Sequence, residues 1–208
     1  MISRVRIRPP TLADQGPFLA AARASLRLHR PWVTAPSTPS QFQAYIERMA
    51  PLSHYGFLVC RRDNEQIAGV VNMTNVVHGL FRSAYLGYYL FAGHEGQGLM
   101  QEGLQAVIRH AFRTLKLHRL EANIQPGNVP SLALVKACGF SKEGYSPRYL
   151  KIGGRWRDHE RWTIIADQRS SAASIPTDQT TPNHVVRRKK HPARTSAYAK
   201  AAWKQFPV

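Results

Sequence analysis

The sequence predicts a mixed α+β domain in which helices flank a central, mostly antiparallel sheet. Three observations predict it. Between Tyr55 and Phe91 the apolar runs are broken by the turn residues Asp63-Asn64-Glu65 and His78-Gly79, the pattern of three strands in an antiparallel meander. Gly93 to Gly98 then feeds a stretch whose apolar residues recur with a helical period, so that a strand, a glycine turn and a long helix follow one another. Finally, 43% hydrophobic and 10% aromatic residues in a chain of 208 allow a folded body to bury roughly 70% of its unfolded surface, so neither a metal nor a disulfide is needed to hold it.

Each element has its own justification. Arg4 to Arg8 alternates and stops at Pro9-Pro10, a short strand. Thr11 is placed to cap a helix, with Asp14 in the capping-box position and Phe18, Leu19, Ala22 and Leu26 on one face up to Leu28. A proline-punctuated loop, Pro31 to Pro39, leads to a second helix capped by Ser40 and carrying Phe42, Tyr45, Ile46 and Met49. The meander strands are Tyr55 to Arg61, Ile67 to Val77 and Ala84 to Phe91. The long helix runs from Leu99 to about Lys116, with Leu104, Val107, Ile108, Ala111 and Phe112 on its apolar side. Leu120 to Gln125 is a strand, and Pro126-Gly127-Asn128 opens a shorter helix through Cys138. Lys142 to Ile152 and Trp156 to Ile165, joined at Gly153-Gly154, form a closing hairpin. Residues 1–167 are thus expected to form one domain. From Gln168 the composition turns to Ser, Thr, Pro, Asn and basic residues, with too few large apolar groups to offset chain entropy, so residues 168–208 are expected to be a disordered tail. Within it, Ala197 to Phe206 has the makings of a short docking helix bearing Tyr198, Trp203 and Phe206.

The charge favours an anionic partner. Lys and Arg number 29 against 12 acids, a net +17, as for a protein that meets RNA, a ribosomal surface or a phosphorylated cofactor. The tail holds eight basic residues and one acid, Asp178, but the body is basic too. Two cysteines, Cys60 and Cys138, make no disulfide framework, and no Cys/His spacing suggests a metal. The start of the chain lacks the apolar stretch of a signal peptide, and nowhere do about 18 apolar residues run together. A cytoplasmic protein with no membrane partner is expected.

The glycine turn carries the first chemical hint. A strand, a tight turn and a helix aim backbone N–H groups and the positive helix end at one point, a geometry that binds phosphate. It is neither the dinucleotide fingerprint, since Gln101 stands where a third glycine belongs, nor a P-loop, since Leu104-Gln105 follow Gly103 in place of Lys-Ser/Thr. Alone it reads equally as a plain strand-to-helix turn.

The surrounding order decides between the two. A meander, this turn, a long helix, a strand, Asn128 and a helix ending at Gly139-Phe140 resemble the Gcn5-related N-acetyltransferases (GNAT). Their acetyl-CoA loop, Q/R-x-x-G-x-G/A, falls here on Glu95-Gly96-Gln97-Gly98-Leu99-Met100, which departs at the first and last positions and keeps the glycine at the fourth. Gly96 to Leu104, Ile67 to Gly79, His118 to Asn128, Gly139 to Tyr145 and Tyr149 to His159 are similar to the ribosomal-protein-alanine, or RimJ-like, branch of the family. The resemblance covers about residues 4 to 166.

It implies the GNAT fold, with a sheet splayed where acetyl-CoA lies, and direct attack of an unprotonated amine on the thioester in a ternary complex. Backbone groups of Tyr89, Leu90 and Phe91 would meet the pantetheine, one N–H stabilising the developing oxyanion. The loop Glu95 to Met100 would meet the pyrophosphate, and Asn128 and Ser131 would also contact the cofactor. Tyr88 and Tyr89 point to opposite faces, so at most one lines the cleft. Glu121 shares a strand face with Asn123 and is the first candidate base, or else a salt-bridged sheet carboxylate. Glu143 is the second, or else an exposed turn acid. Where some relatives place a tyrosine to protonate the thiolate, this chain has Val135, which leaves Ser131 as a donor or a simple cap. Trp32, Asn75 and Tyr88 resemble positions that shape the acceptor side, Trp32 being otherwise a core anchor, and the two cysteines read as structural thiols. The activity implied is acetylation of an N-terminal α-amine, alanine on a ribosomal or similar basic protein. A small amine as acceptor, or an inactive acetyltransferase fold that binds RNA or pre-ribosomes, are the alternatives. The basic tail is a candidate tether to the ribosome or RNA.

Overall fold

The computed structural model describes residues 3–166. The tail from Gln168, its short docking helix and the domain boundary expected at 167 lie outside the described residues. Seven strands form one sheet: β1 (Val5–Arg8), β2 (Tyr55–Arg61), β3 (Ile67–Val77), β4 (Ser83–Leu90), β5 (Arg119–Ile124), β6 (Ser141–Ile152) and β7 (Arg155–Ile165). Their spatial order is β1-β2-β3-β4-β5-β7-β6. Every neighbouring pair is antiparallel except β4 and β5. That parallel pair needs a crossover, which α4 (Leu99–Arg113) supplies.

The two sheet faces bury different helices. On one face Leu104, Val107, Ile108 and Ala111 of α4, with Val135 of α5 (Val129–Ala137), pack on Val59, Val71, Leu86, Leu120 and Ile164. On the other, Phe18, Leu19 and Ala22 of α1 (Gln15–Ala24) and Phe42 and Tyr45 of α3 (Pro39–Arg48) pack on Leu58, Cys60, Val70 and Tyr89. A strand covered on both faces is apolar throughout, which is why β2 runs Phe57-Leu-Val-Cys60 without alternation. Gly103 lets α4 lie close on β2: a Cβ there would stand 2.6 Å from both γ-carbons of Val59.

The structure corrects several boundaries. The first helix breaks at Ser25, and the short α2 (Leu26–His29) follows, leaving Leu26 exposed. Ser25 is fully buried. Its hydroxyl donates to the Ala21 carbonyl (2.6 Å) and accepts the Ala92 N–H (2.8 Å), so the hydroxyl that ends α1 also ties it to the end of β4. Helix α3 is capped by Thr38 rather than Ser40, with Pro39 at its first position, where a missing N–H costs nothing. Helix α4 ends at Arg113. The Thr11–Asp14 capping box forms, with the Thr11 N–H donating to Asp14 Oδ2 at 2.8 Å while Arg8 binds the same carboxylate.

The register of the central strands sets the site. Strands β4 and β5 pair from Ser83↔Arg119 to Leu86↔Ala122 and then part. Beyond that point Gly87 to Leu90 pair only with β3, and Asn123 and Ile124 only with β7. The sheet therefore opens as a wedge between two strands whose outer partners hold them apart.

Candidate active site

A cavity of about 770 Å³ occupies the wedge and extends to both sides of the sheet. At one end lies the glycine turn. Gly93, Gly96 and Gly98 have φ of 88°, 69° and 75°, and Gly98 is the left-handed residue from which α4 starts. The Glu102 N–H closes on the Gly98 carbonyl at 3.2 Å, so the N–H groups of Leu99, Met100 and Gln101 precede the first helical bond and face outward from the helix end. Gln97 Nε2 donates to the Gly93 carbonyl (2.8 Å) and the Gly93 N–H donates to Glu95 Oε2 (2.6 Å), bracing the turn. Among the described residues a Cβ at Gly96 would meet no atom within 4 Å, and Nδ1 of His94 is buried without a partner. Open space, aligned donors and an orphaned ring nitrogen fit a phosphate-bearing cofactor.

Along the α5 wall, Asn128 caps the helix by accepting the Ser131 N–H at 3.3 Å, and Ser131 Oγ lies 2.7 Å from the Tyr88 hydroxyl. Burial raises the Tyr88 phenol well above its ordinary value, so it is a neutral donor at pH 7. On the opposite side of the sheet the cavity is walled by His29, Trp32, Tyr89, Asn123 and His159. His29 Nε2 donates to the Leu90 carbonyl at 2.8 Å, while its Nδ1, the Tyr89 hydroxyl and Asn123 Oδ1 are buried with no partner among the described residues. The His29 and Tyr89 rings meet edge to face, 5.1 Å apart. Trp32 reaches across to the turn before α5, its ring 3.3 Å from where a Cβ on Gly127 would stand.

Of the residues expected to bind cofactor, Tyr89, Leu90, Glu95, Gly96, Gly98, Met100, Asn128 and Ser131 line this cavity. Phe91 and Leu99 are buried in the two cores, and Gln97 turns outward to brace the loop. Both Tyr88 and Tyr89 line the cavity, because the wedge passes through the sheet and exposes each of its faces. Tyr88 therefore sits beside Ser131 on the α5 side, away from Trp32 and the acceptor side expected for it. Asn75 is a correction: it is exposed, with φ 50° at a bulge in β3, and does not line the cavity.

The two candidate glutamates are tied to one arginine. Arg119 binds Glu143 with both nitrogens and reaches Glu121 Oε2 at 3.4 Å, while Asn123 Nδ2 donates to Glu121 Oε1 at 3.1 Å. Neither carboxylate lines the cavity. Hydrogen bonds from Arg119 and then Thr163 hold Glu143 down to about 2, too weak a base to take a proton from an amine. The salt-bridged and exposed readings of Glu121 and Glu143 are the ones this geometry favours. Sequence reasoning gave no role to His29, His94 and His159, and named Asn123 only as sharing a strand face with Glu121. Of these only His94, inside the glycine turn, had a local signal; the others arrive through pairing of distant segments.

A sheet that parts beside a glycine-started helix, with a largely apolar cavity in the opening, is the kind of site an acyl-CoA-dependent transferase requires. The chain belongs to the GNAT acetyltransferases: the family model of the acetyltransferase (GNAT) domain matches residues 4–141. The Escherichia coli [ribosomal protein uS5]-alanine N-acetyltransferase is 48% identical over 97 residues, which cover 47% of this chain and half of that protein. A Vibrio cholerae spermidine N(1)-acetyltransferase is 25% identical over 101 residues, covering 49% of this chain and 58% of that one. Among solved structures, Mycobacterium smegmatis RimJ in complex with CoA-disulfide superposes with a TM-score of 0.73 at 27% identity, covering 79% of this chain and 83% of that one. The chain is an N-acetyltransferase and acetyl-CoA is its acetyl donor.

Bound acetyl-CoA supplies an acetyl group activated as a thioester. The residues present fit it: the α4 N-terminus and glycine turn would hold the pyrophosphate, and the unpaired edge of β4 would flank the pantetheine. The Tyr88 and Ser131 hydroxyls lie together on the α5 side, and His29, Asn123 and His159 wall the opposite side of the sheet.

Proposed function

We propose that the chain acetylates the α-amine of a protein N-terminus, an alanine on a ribosomal or comparably basic protein. One observation carries this reading. Among the described residues lining the cavity the one acid is Glu95, which belongs to the glycine turn at the cofactor end. A polyamine carries several positive charges and would need carboxylates beside it, whereas an α-amine, which ordinarily titrates at about 7.7 to 8.0, enters partly neutral and asks only for hydrogen-bond acceptors. The 48% identity to a uS5-alanine N-acetyltransferase supports the same reading. The second reading, a polyamine acceptor, rests on the spermidine acetyltransferase relative. An RNA-binding role without catalysis is disfavoured by the glycine turn, which keeps the open space and outward N–H groups a cofactor uses. The basic segment Arg187-Arg188-Lys189-Lys190, with Arg194, Lys200 and Lys204, is proposed as a tether to RNA or the ribosome, and its contribution to co-sedimentation should fall steeply with salt.

The test is a panel of acceptors at fixed acetyl-CoA: peptides beginning with Ala, Ser, Met and an acetyl-blocked Ala, beside spermidine. The proposal expects turnover on the free Ala peptide, none on the blocked one, and kcat/KM for spermidine at least tenfold lower. A preference for spermidine would overturn it.

A further inference from the structure

We propose that His159, on β7, is the catalytic base that takes the proton from the acceptor amine. The strand pattern sets where this ring lies. Trp162 and Ile164 of β7 pack in the α4–α5 core, so period two turns His159, Arg161 and Thr163 to the other face. Leu120, Ala122 and Ile124 of β5 do the same, which leaves Glu121 and Asn123 on that other face as well. The register Asn123↔Arg161 and Ile124↔Glu160 then sets His159 one step past the last paired residue of β5, where β4 and β5 have already parted. His159 is only 2% exposed, yet it lines the cavity.

Its hydrogen bonding fixes which nitrogen does the work. His159 Nδ1 lies 2.9 Å from the Arg157 carbonyl, which can only accept, so Nδ1 carries the proton of the neutral ring. The lone pair is then on Nε2, which makes no hydrogen bond among the described residues. Tyr149 of β6 packs edge to face on the ring at 6.2 Å and limits its rotation. Asn123 Oδ1, buried on the same face and unpartnered among the described residues, supplies a second acceptor for the other amine hydrogen. These two acceptors match a primary amine, while the glutamates are occupied by Arg119.

Burial, and not the neighbouring groups, keeps the ring neutral: the Arg157 carbonyl and Asp158 both favour its protonated form. Asp158 acts on His159 from its own strand, Arg157 and Arg161 flank it on the same face, Tyr149 faces it from β6, and Glu121 on β5 is held by Arg119. Burial lowers the ring's affinity for a proton below that of an ordinary histidine, so it stays unprotonated to lower pH. In the step, the amine nitrogen forms its bond to the acetyl carbon as the carbon–sulfur bond breaks, and the amine proton passes to Nε2. The thiolate of CoA takes up one proton and the imidazolium releases one to solvent, which leaves amide and thiol.

The inference rests on acetyl transfer to an amine, whichever amine it is, and the test separates the two. In ¹⁵N-histidine NMR of the full chain with CoA, His159 should show protonated Nδ1 and bare Nε2, and Nε2 alone should shift when an Ala peptide is added. A shift with spermidine and none with the peptide keeps His159 as base and overturns the acceptor reading. A protonated Nε2, or no shift with any amine that is turned over, overturns the base. His159→Gln should lower kcat by about 100-fold or more at pH 7, keep CoA affinity within twofold by calorimetry, and lose the acid limb of the kcat profile. Should that variant not fold, the NMR result on the wild-type chain stands as the decision. A folded His159→Gln with an unchanged acid limb overturns the proposal.

Discussion

Replacing Gly98 with valine tests how the cofactor is held. Gly98 starts α4 with φ 75° and ψ 0°. A non-glycine residue in that left-handed conformation costs roughly 1–2 kcal/mol, and a β-branched one is worse placed still. The new Cβ would stand 3.2 Å from Arg4 Nη2, the far end of a flexible side chain, so the clash itself is cheap and the backbone strain dominates. If the strain is held, the domain loses that stability and its Tm falls by a few degrees. If it relaxes, the N–H groups of Leu99 to Gln101 rotate away from the pyrophosphate, and each charge-assisted hydrogen bond lost is worth about 1.5–3 kcal/mol. At about 1.4 kcal/mol per decade, affinity for CoA should fall at least tenfold. Calorimetry with CoA, alongside circular dichroism to confirm folding, reads this directly. Gly96→Ala is the companion, since its Cβ meets no protein atom and any loss of binding beyond backbone strain comes from the ligand's side. A folded Gly98→Val that binds CoA within twofold of wild type and melts at the wild-type temperature would refute the reasoning.

Other consequences follow from packing and charge. Gly103→Ala puts a methyl 2.6 Å from Val59 and should cost about 1–3 kcal/mol of stability, read by urea unfolding with the m-value unchanged. Asp14 is buried, accepts from Arg8 and from the Thr11 N–H, and is held below the usual carboxylate range chiefly by Arg8. Asp14→Asn should therefore cost about 2–3 kcal/mol at neutral pH. Because the folded value is depressed, that difference is complete above about pH 4 and closes as pH falls through the folded value, which an unfolding series from pH 7 to 3 would show. Trp32→Ala opens the wall that closes on Gly127 and should raise KM for the acceptor while leaving CoA affinity within about threefold; a change confined to CoA would place Trp32 on the wrong ligand.

The fold was legible wherever local chemistry sets it. Helix α4 declares itself through Leu104, Val107, Ile108 and Ala111, and the meander through its turn residues, because burial on one side imposes a period that the chain carries openly. The break at Ser25 was hidden, since a serine within an apolar helical pattern gains its meaning only from the Ala92 N–H that it accepts. Similarly, Asn75 belongs to a resemblance in sequence that the bulge in β3 turns away from the cavity. The cofactor half of the site lies in one continuous turn and helix, so Gly96, Gly98 and Met100 were within reach of sequence reasoning. The half proposed for the acceptor joins α2, β5 and β7, and its members are single residues without a local pattern. Glu121 illustrates the difficulty: its strand face was foreseen, but not the Arg119 that occupies it.

The most direct test of amine acetylation at a protein N-terminus is mass spectrometry of N-terminal peptides from cells with and without this protein. The account predicts that one or a few N-termini beginning with alanine lose their acetyl group in its absence and regain it when the wild-type chain, but not Gly98→Val, is restored. Unchanged N-terminal acetylation together with a change in acetylated polyamine would contradict it.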